Sequence, residues 1–190
     1  MAQPIIRGDL REKPRRLLNS DVEALDHMKL ARLFVISVFS VAPVLVMAEI
    51  PELSPSGYGL IQFGQALKEA EVNLHETAMP KKRESGCDFV TLKKYPKIRF
   101  MVEDGIVTRG DTKAGVRNSA RVSIGMSLER VKVLHPRIRI EPHKYDDEGH
   151  YLILDSSDGN SAILFEEGAG KVTDIRAGKK PSVEYVEGCL

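Results

Sequence analysis

The densest group of side chains that could do chemistry lies between Glu141 and His150. It combines two histidines with carboxylates, an amine and a phenol, which are groups that bind metals or transfer protons in enzymes. His143 and His150, however, stand on either side of a Gly-containing loop, at a spacing that matches no regular zinc site. We therefore expect no metal, no catalytic group and no cofactor in this stretch.

A second acidic stretch, residues 155–160, places aspartate, serine and asparagine around Gly159. Such residues occur in calcium loops, but the alternating ligands and the terminal glutamate of those loops are missing here. The same residue types favour a tight turn between two strands. We therefore interpret this stretch as a hairpin turn.

No motif for nucleophilic or phosphate chemistry is recognisable in the chain. No Ser, Cys or His stands in a nucleophile motif, and no Gly-rich loop that could hold a phosphate follows a predicted strand. Residues 168–171 contain two glycines and a lysine, but no Ser or Thr follows and no helix begins there. We expect that the protein is not an enzyme.

Large amphipathic side chains are the better candidates for function, because aromatic residues and arginine anchor most protein interfaces. The chain has no Trp. If it binds another protein, we expect contacts from arginines, histidines and tyrosines of its second half: Arg137, Arg139, His143, Tyr145, His150, Tyr151 and Tyr185. The alternative is that individual members of this set are ordinary surface or packing residues.

An uncharged run behind a basic segment indicates export. Residues 33–48 carry no charge, follow Lys29 and Arg32, and end in a small residue, Ala48. A basic start, an apolar stretch and small residues before the cleavage point define a secretory signal peptide, predicted here as residues 28–48. The run is too short to span a bilayer comfortably, since that takes about 20 residues. We expect a soluble periplasmic protein whose mature form has no membrane span.

The segment 1–27 in front of the predicted signal peptide is polar and shows no apolar periodicity. We interpret it as a mis-assigned or disordered extension, with Met28 as the true start. The alternative is a cytoplasmic tail in front of an uncleaved signal anchor. After the signal comes Glu49 rather than the cysteine of a lipoprotein, so we expect no lipid anchor.

The charge balance argues against nucleic acid as a partner. The chain has 28 Lys and Arg residues against 27 Asp and Glu residues, for a formal net charge of +1. Proteins that bind nucleic acid usually carry a basic surplus on the binding domain.

Both cysteines, Cys87 and Cys189, follow the predicted signal peptide. In an oxidising compartment a single pair of cysteines is expected to form a disulfide. Closing a loop of about 100 residues would stabilise the fold by roughly 4 kcal/mol. The alternative is two free thiols.

The chain after the predicted signal peptide contains two pairs of similar segments. Residues 63–72 align with residues 124–133, and apolar residues recur at helical spacing in both. Residues 99–108 and 163–173 are each typical of a hairpin, with acidic residues and Gly between β-prone runs and two extra residues in the second turn. Ser127 is predicted to cap the second helix.

The order of these segments predicts an α+β fold of two tandem units, each a short helical segment followed by antiparallel β-strands. The predicted units are residues 49–115 and 116–190. Strands are expected at residues 87–92, 98–102, 106–109, 137–141, 151–155, 161–166, 172–176 and 183–186.

Residues 124–131, with the strands predicted after them, resemble the helix opening of BamE-like periplasmic domains, which carries Gly, Met and Ser or Thr followed by Val. Two such units in one chain look like the tandem arrangement of the β-lactamase inhibitor protein. The resemblance covers residues 57–186. It implies a small exported protein of the predicted tandem fold.

A closer resemblance is to small exported proteins of bacteria that carry antibacterial secretion systems, and it rests on residues 100–109, 141–145, 149–153 and 183–189. Some proteins of this kind are immunity partners that neutralise periplasm-acting effectors of type IV secretion systems. The resemblance implies binding and inhibition of a protein partner, a secreted antibacterial effector or hydrolase, rather than catalysis. The alternatives are a structural role in envelope assembly and a carbohydrate- or peptidoglycan-binding module.

Overall fold

The computed structural model describes residues 50–82 and 86–189. The predicted signal peptide and the segment in front of it lie outside these residues. The elements in chain order are β1 (Leu53–Ser54), β2 (Gly57–Tyr58), β3 (Ile61–Gln62), α1 (Leu67–Leu74), β4 (Cys87–Thr91), β5 (Arg99–Glu103), β6 (Ile106–Thr112), α2 (Leu128–Leu134), β7 (Arg139–Pro142), β8 (His150–Asp155), β9 (Ser161–Gly168), β10 (Lys171–Lys179) and a 3₁₀ helix (Ser182–Glu184).

The predicted α+β fold of two tandem helix-then-strand units is wrong, because the described chain is mostly β. Helices α1 and α2 have only eight and seven residues. Strands β1 to β3 form one small sheet, and the other seven strands form a single sheet in the order β4-β5-β6-β10-β9-β8-β7. The antiparallel pair of β6 and β10 joins strands from both halves of the chain. Pairing these two strands satisfies backbone groups that each half alone would leave open at an edge.

Most strands lie where the sequence predicts them, with two exceptions. Residues 183–186, predicted as a strand, form the end of the 3₁₀ helix and the turn after it. Strands β1 to β3 were not predicted, because runs of two residues are too short to show the alternation of a strand.

The similar sequence segments form the same local hydrogen bonds in both halves of the chain. The start of each helix is attached to a hairpin that follows it in the chain. Four backbone N–H groups donate to carbonyls of those hairpins: Gly64 to Val107, Leu67 to Gly105, Gly125 to Val172 and Leu128 to Gly170.

The predicted helix features are confirmed in part. Leu67, Ala70 and Leu74 are buried along one face of α1, as their spacing predicts. In α2 only Val131 is buried. Ser127 Oγ accepts a hydrogen bond at 3.2 Å from the backbone N–H of Arg130 in the first turn of α2, which confirms the predicted N-cap.

The two predicted hairpins are also confirmed, with tight turns at Asp104-Gly105 and Ala169-Gly170. All four turn residues have positive φ, the conformation of a turn that matches the twist of the flanking strands. The second turn is no longer than the first, because the two additional residues belong to the strands. Each hairpin contains one shift of strand register, between Met101 and Val102 in β5 and between Val172 and Asp174 in β10.

The main core lies on one face of the seven-stranded sheet. Helices α1 and α2 and strands β1 to β3 cover this face, and the largest fully buried side chains beneath them include Phe100 and Phe165. The opposite face, called the outer face below, is covered over part of its area by the C-terminal segment, residues 180–189. Val183 is fully buried there, against Tyr151, Ile153 and Leu164.

The C-terminal segment is attached to the edge of the sheet by the predicted disulfide. Cys87 at the start of β4 is bonded to Cys189, with 5.4 Å between their Cα atoms. Among the described residues, no helix has the length and apolar character needed to cross a membrane.

Candidate functional site

The outer face carries a row of alternating charges across three neighbouring strands. Strand pairing places Arg99 of β5 opposite Asp111 of β6, and Asp111 opposite Arg176 of β10. Opposed side chains of an antiparallel pair lie on the same face, about 5 Å apart at Cβ, so opposite charges attract across the strands. These three residues are called the charged row below.

Arg109, next to the charged row, is buried, and each of its three guanidinium nitrogens has a hydrogen-bond partner. Its Nε and Nη2 donate to the two carboxylate oxygens of Asp111 at 2.7 and 2.9 Å. Its Nη1 donates to the carbonyl oxygens of Ser182 and Tyr185 at 2.8 and 2.9 Å. Arg109 thus connects the sheet to the C-terminal segment.

Arg176 is only 7% exposed, yet its guanidinium group is only partly paired. Nη1 donates to Glu166 at 2.5 Å, and the guanidinium carbon lies 5.5 Å from the centre of the Tyr151 ring. Its Nε and Nη2 are buried and have no hydrogen-bond partner among the described residues. Burial lowers the pKa of Arg176, and the charge of Glu166 opposes this shift. The group nevertheless stays cationic, because arginine titrates far above neutral pH.

A groove of about 320 Å³ opens beside Arg176. Its charged lining comes from Lys97, Arg99, Asp111, Lys113, Glu166, Asp174 and Arg176. Asp174 is paired with Lys113 at 3.2 Å, and Arg99 lies 3.7 Å from Asp111. The groove can therefore accept a polar or charged group of a ligand.

Beyond Glu166 the outer face continues into three rings, His143, Tyr145 and Tyr151, called the ring cluster below. The ring centres of His143 and Tyr151 are 4.6 Å apart, and those of His143 and Tyr145 are 6.5 Å apart. Nε2 of His143 lies 3.9 Å from the carboxylate of Glu166, so the ring cluster adjoins the groove. The structure thus brings three of the predicted partner-binding residues together.

Tyr145 is held in place although its side chain is 66% exposed. Lys144 lies 5.2 Å from the centre of its ring, and both residues hydrogen-bond to Glu187 of the C-terminal segment. The Lys144 ammonium lowers the pKa of Glu187. Tyr185, another predicted residue, is 39% exposed in the same segment.

Two other predicted residues, Arg139 and Arg137, lie apart from the ring cluster. Arg139 is engaged in ion pairs with Glu141, Asp155 and Glu184. Arg137 is exposed in the turn before β7. Tyr151 is itself buried, so within the ring cluster it supports His143 rather than facing solvent.

His150 points to the side of the sheet opposite the ring cluster. Its Nδ1 lies 2.7 Å from Oε2 of Glu167, a carboxylate that is almost fully buried. The other oxygen of Glu167 has no hydrogen-bond partner in the described part of the chain. Within residues 50–82 and 86–189, no three His, Cys, Asp or Glu side chains are placed to hold a metal ion.

Sequence reasoning missed the charged row. Its three members are isolated charges in three different strands, and only strand pairing brings them together. The alternation around Ile175 and Ala177 predicts that Arg176 faces away from the core, but it does not predict what Arg176 meets there.

The comparison with solved structures finds two proteins from Bacillus. The chain is similar to a DUF4309 family protein, YjgB, from Bacillus subtilis subsp. subtilis str. 168, with a TM-score of 0.43, 10% identity, and coverage of 65% of this chain and 84% of that one. It is also similar to an extracellular protein containing an SCP domain from Bacillus anthracis str. Ames, with a TM-score of 0.39, 10% identity, and coverage of 62% and 44%. No family model and no curated protein sequence matches the chain. Neither likeness carries an argument about function.

Proposed function

We propose that the protein binds another protein and inhibits it. The observation that carries this proposal is the pair of exposed tyrosines, Tyr145 and Tyr185, associated with the same C-terminal segment. Tyrosine offers a large apolar area and a hydroxyl group on a side chain with few rotatable bonds, which suits an interface anchor.

The contacts of Tyr145 support a role as an anchor. Lys144 and Glu187 already fix its ring in the free protein. Binding costs less conformational entropy when the contacting side chain is already ordered in the free protein than when it must become ordered on binding. The neighbouring ring cluster and charged row extend this surface toward the size of a standard interface, about 800 Å² on each partner.

We further propose that the partner is an antibacterial effector that attacks the cell envelope, so that the protein acts as an immunity protein in the periplasm. The resemblance of residues 100–109, 141–145, 149–153 and 183–189 to exported immunity proteins supports this assignment. The predicted signal peptide and the disulfide are in keeping with an oxidising compartment outside the cytoplasm.

The test uses the purified protein and, as the candidate partner, a secreted protein encoded by a neighbouring reading frame of the native host, where the genome carries one. Binding is measured by isothermal titration calorimetry, and protection by survival of cells that export the effector. We expect the Tyr145→Ala and Tyr185→Ala variants to bind at least tenfold more weakly than the parent.

The matched control is Val133→Ala, which removes an exposed apolar side chain from α2. It is expected to leave affinity unchanged. Equal affinity of the tyrosine variants and the parent would show that the surface is wrong. Stable association with outer-membrane complexes, with no effect on any effector, would instead indicate a role in envelope assembly.

A further inference from the structure

The seven-stranded sheet ends at β7 with backbone groups that point away from it. In the described chain β7 is the last strand of the sheet order and pairs with β8 alone. Directly after β7 the N–H of His143 donates to the carbonyl of Gly149 at 3.0 Å, so the odd-numbered residues of this strand direct their backbone groups toward β8. By the same alternation the N–H and carbonyl of Ile140 point outward.

The opposite end of the sheet is better protected. On the open side of β4, Met79 and Thr91 exchange two backbone hydrogen bonds, at 3.0 and 2.8 Å. No isolated bridge of this kind reaches β7 within residues 50–82 and 86–189. The side chain of Ile140 is 38% exposed, so β7 presents an apolar residue at an open edge. Proteins usually protect such an edge from pairing with another chain.

The charges of β7 select one way of pairing rather than preventing it. Arg139 and Glu141 stand on either side of Ile140 and are half-exposed. If two β7 strands pair antiparallel with Ile140 opposite Ile140, Arg139 of each copy faces Glu141 of the other. A parallel pair in register would instead place like charges side by side, which is unfavourable.

We propose that β7 pairs with β7 of a second copy of this chain, antiparallel and centred on Ile140. The two seven-stranded sheets then continue into each other across a two-fold axis. Because both copies use the same patch, the assembly closes as a dimer and does not extend into a filament. The interface goes beyond the proposed inhibitor function, since it uses a sheet edge in place of the exposed tyrosines and needs no effector.

The hydrogen bonds of this pairing end without an unpaired donor. The two Ile140 residues exchange their N–H and carbonyl groups across the axis. The next outward position brings Pro142 of one copy opposite Ile138 of the other. Proline has no N–H, and the N–H of Ile138 already donates to His135 of its own chain at 3.0 Å.

Apolar area supports the pairing on the core side of the sheet. Ile140 lies opposite the buried Leu152 in the strand register, so both face that side. Leu134, at the end of α2 on the same side, is 39% exposed. This contact is smaller than a standard interface, so we expect a dissociation constant on the order of 0.1 mM.

The experiment is sedimentation equilibrium of the purified protein from about 10 μM to about 1 mM, a range that brackets this dissociation constant. We expect the average mass to rise reversibly from one chain toward two. Ile140→Lys places two like charges opposite each other, and Glu141→Lys replaces both attractive cross-strand pairs by repulsive ones. Each change is expected to weaken the dimer by about tenfold or more.

The matched control is Ile106→Lys, which makes the same change at an isoleucine of nearly equal exposure, 37%, in β6. It is expected to dimerise like the parent. Circular dichroism of all three variants verifies that they are folded. Glu141→Lys, which changes an exposed side chain, keeps the test decisive if Ile140→Lys does not fold.

A parent protein that stays monomeric throughout the range would overturn the proposal, as would masses that grow beyond two chains. Dimerisation unchanged in the folded variants would place the interface elsewhere, and an equal loss in Ile106→Lys would show that the effect is not specific to β7. Because the protein is measured alone, these outcomes are distinguishable from failure of the proposed inhibitor function.

Discussion

Arg109 joins strand β6 to the C-terminal segment through one guanidinium group. It binds Asp111 in its own strand and two carbonyls of the C-terminal segment. Replacing it would leave the carboxylate of Asp111 with a weaker partner, Arg99, and would remove a side-chain donor from the carbonyl groups of Ser182 and Tyr185. Loss of one member of a buried ion pair is strongly destabilising because the remaining charge stays buried.

We therefore expect Arg109→Ala to lower the free energy of unfolding by about 3 kcal/mol. The exposed Arg137→Ala variant serves as control and should change it by less than about 0.5 kcal/mol. Urea denaturation followed by circular dichroism measures both. Equal stabilities of the two variants would contradict the structural role of Arg109.

Asp155 gives the stability a dependence on pH. Lys180 binds its carboxylate at 2.6 Å, and this hydrogen bond, with a further contribution from Arg139, lowers the pKa of Asp155 in the folded protein. A carboxyl group with a lowered pKa stabilises the fold above its unfolded pKa, near about 4, and this contribution is lost as the pH falls through the folded value.

The Asp155→Asn variant is therefore expected to be less stable than the parent at pH 7, by about 0.5 kcal/mol because the pair is partly exposed. The difference should shrink as the pH falls from the unfolded pKa, near about 4, through the lowered pKa of Asp155 in the folded protein. Denaturation curves of both proteins across this range provide the measurement. A constant difference at all pH values would show that the ionised carboxylate is not responsible.

At the scale of elements, the two helix starts differ in a single capping side chain. Ser127 caps α2, whereas the equivalent residue before α1 is Ala66, which has similar extended backbone angles and no side-chain cap. A capping oxygen satisfies one of the backbone N–H groups that a helix leaves unpaired at its start.

We expect Ser127→Ala to destabilise the protein by about 1 kcal/mol and Ala66→Ser to stabilise it by a similar or smaller amount. Thermal unfolding of the two variants and the parent tests this pair together. A shift of the melting temperature in the same direction for both variants would contradict the capping argument.

Elements with a strong local pattern were predictable from the sequence. The face of α1 follows from apolar spacing, and the two hairpins follow from a Gly placed between β-prone runs, Gly105 and Gly170. The strand assigned to residues 183–186 failed because a short apolar run beside polar residues does not distinguish a strand from a tight turn. The pairing of β6 with β10 has no local signature in the sequence. Because this pairing joins both halves of the chain in one sheet, the predicted fold class was wrong.

At the scale of the whole molecule, the disulfide closes a separation of 102 residues and fixes the C-terminal segment over the outer face. In the chain-entropy account a loop of this length stabilises the native state by roughly 4 kcal/mol. We expect reduction, or the Cys87→Ser, Cys189→Ser double variant, to lower the melting temperature clearly. Reductant added to the double variant is the control and should have no effect, and an unchanged melt of the parent would exclude a stabilising bridge.

The candidate site was predictable only where it depends on residue type. The ring cluster could be identified from the sequence because His143, Tyr145 and Tyr151 lie close together along the chain. The groove at Arg176 depends on three strands from distant parts of the chain and on the burial of one guanidinium group. Neither property is encoded in a short segment.

The pairing of β6 with β10 also sets an order of events during synthesis. Strand β6 is made long before its neighbour β10, which is the final strand of the described chain. Until β10 is complete, the backbone of β6 presents an open row of donors and acceptors on that side. Before β10 is in place, this side of β6 is a template on which another chain could add a strand.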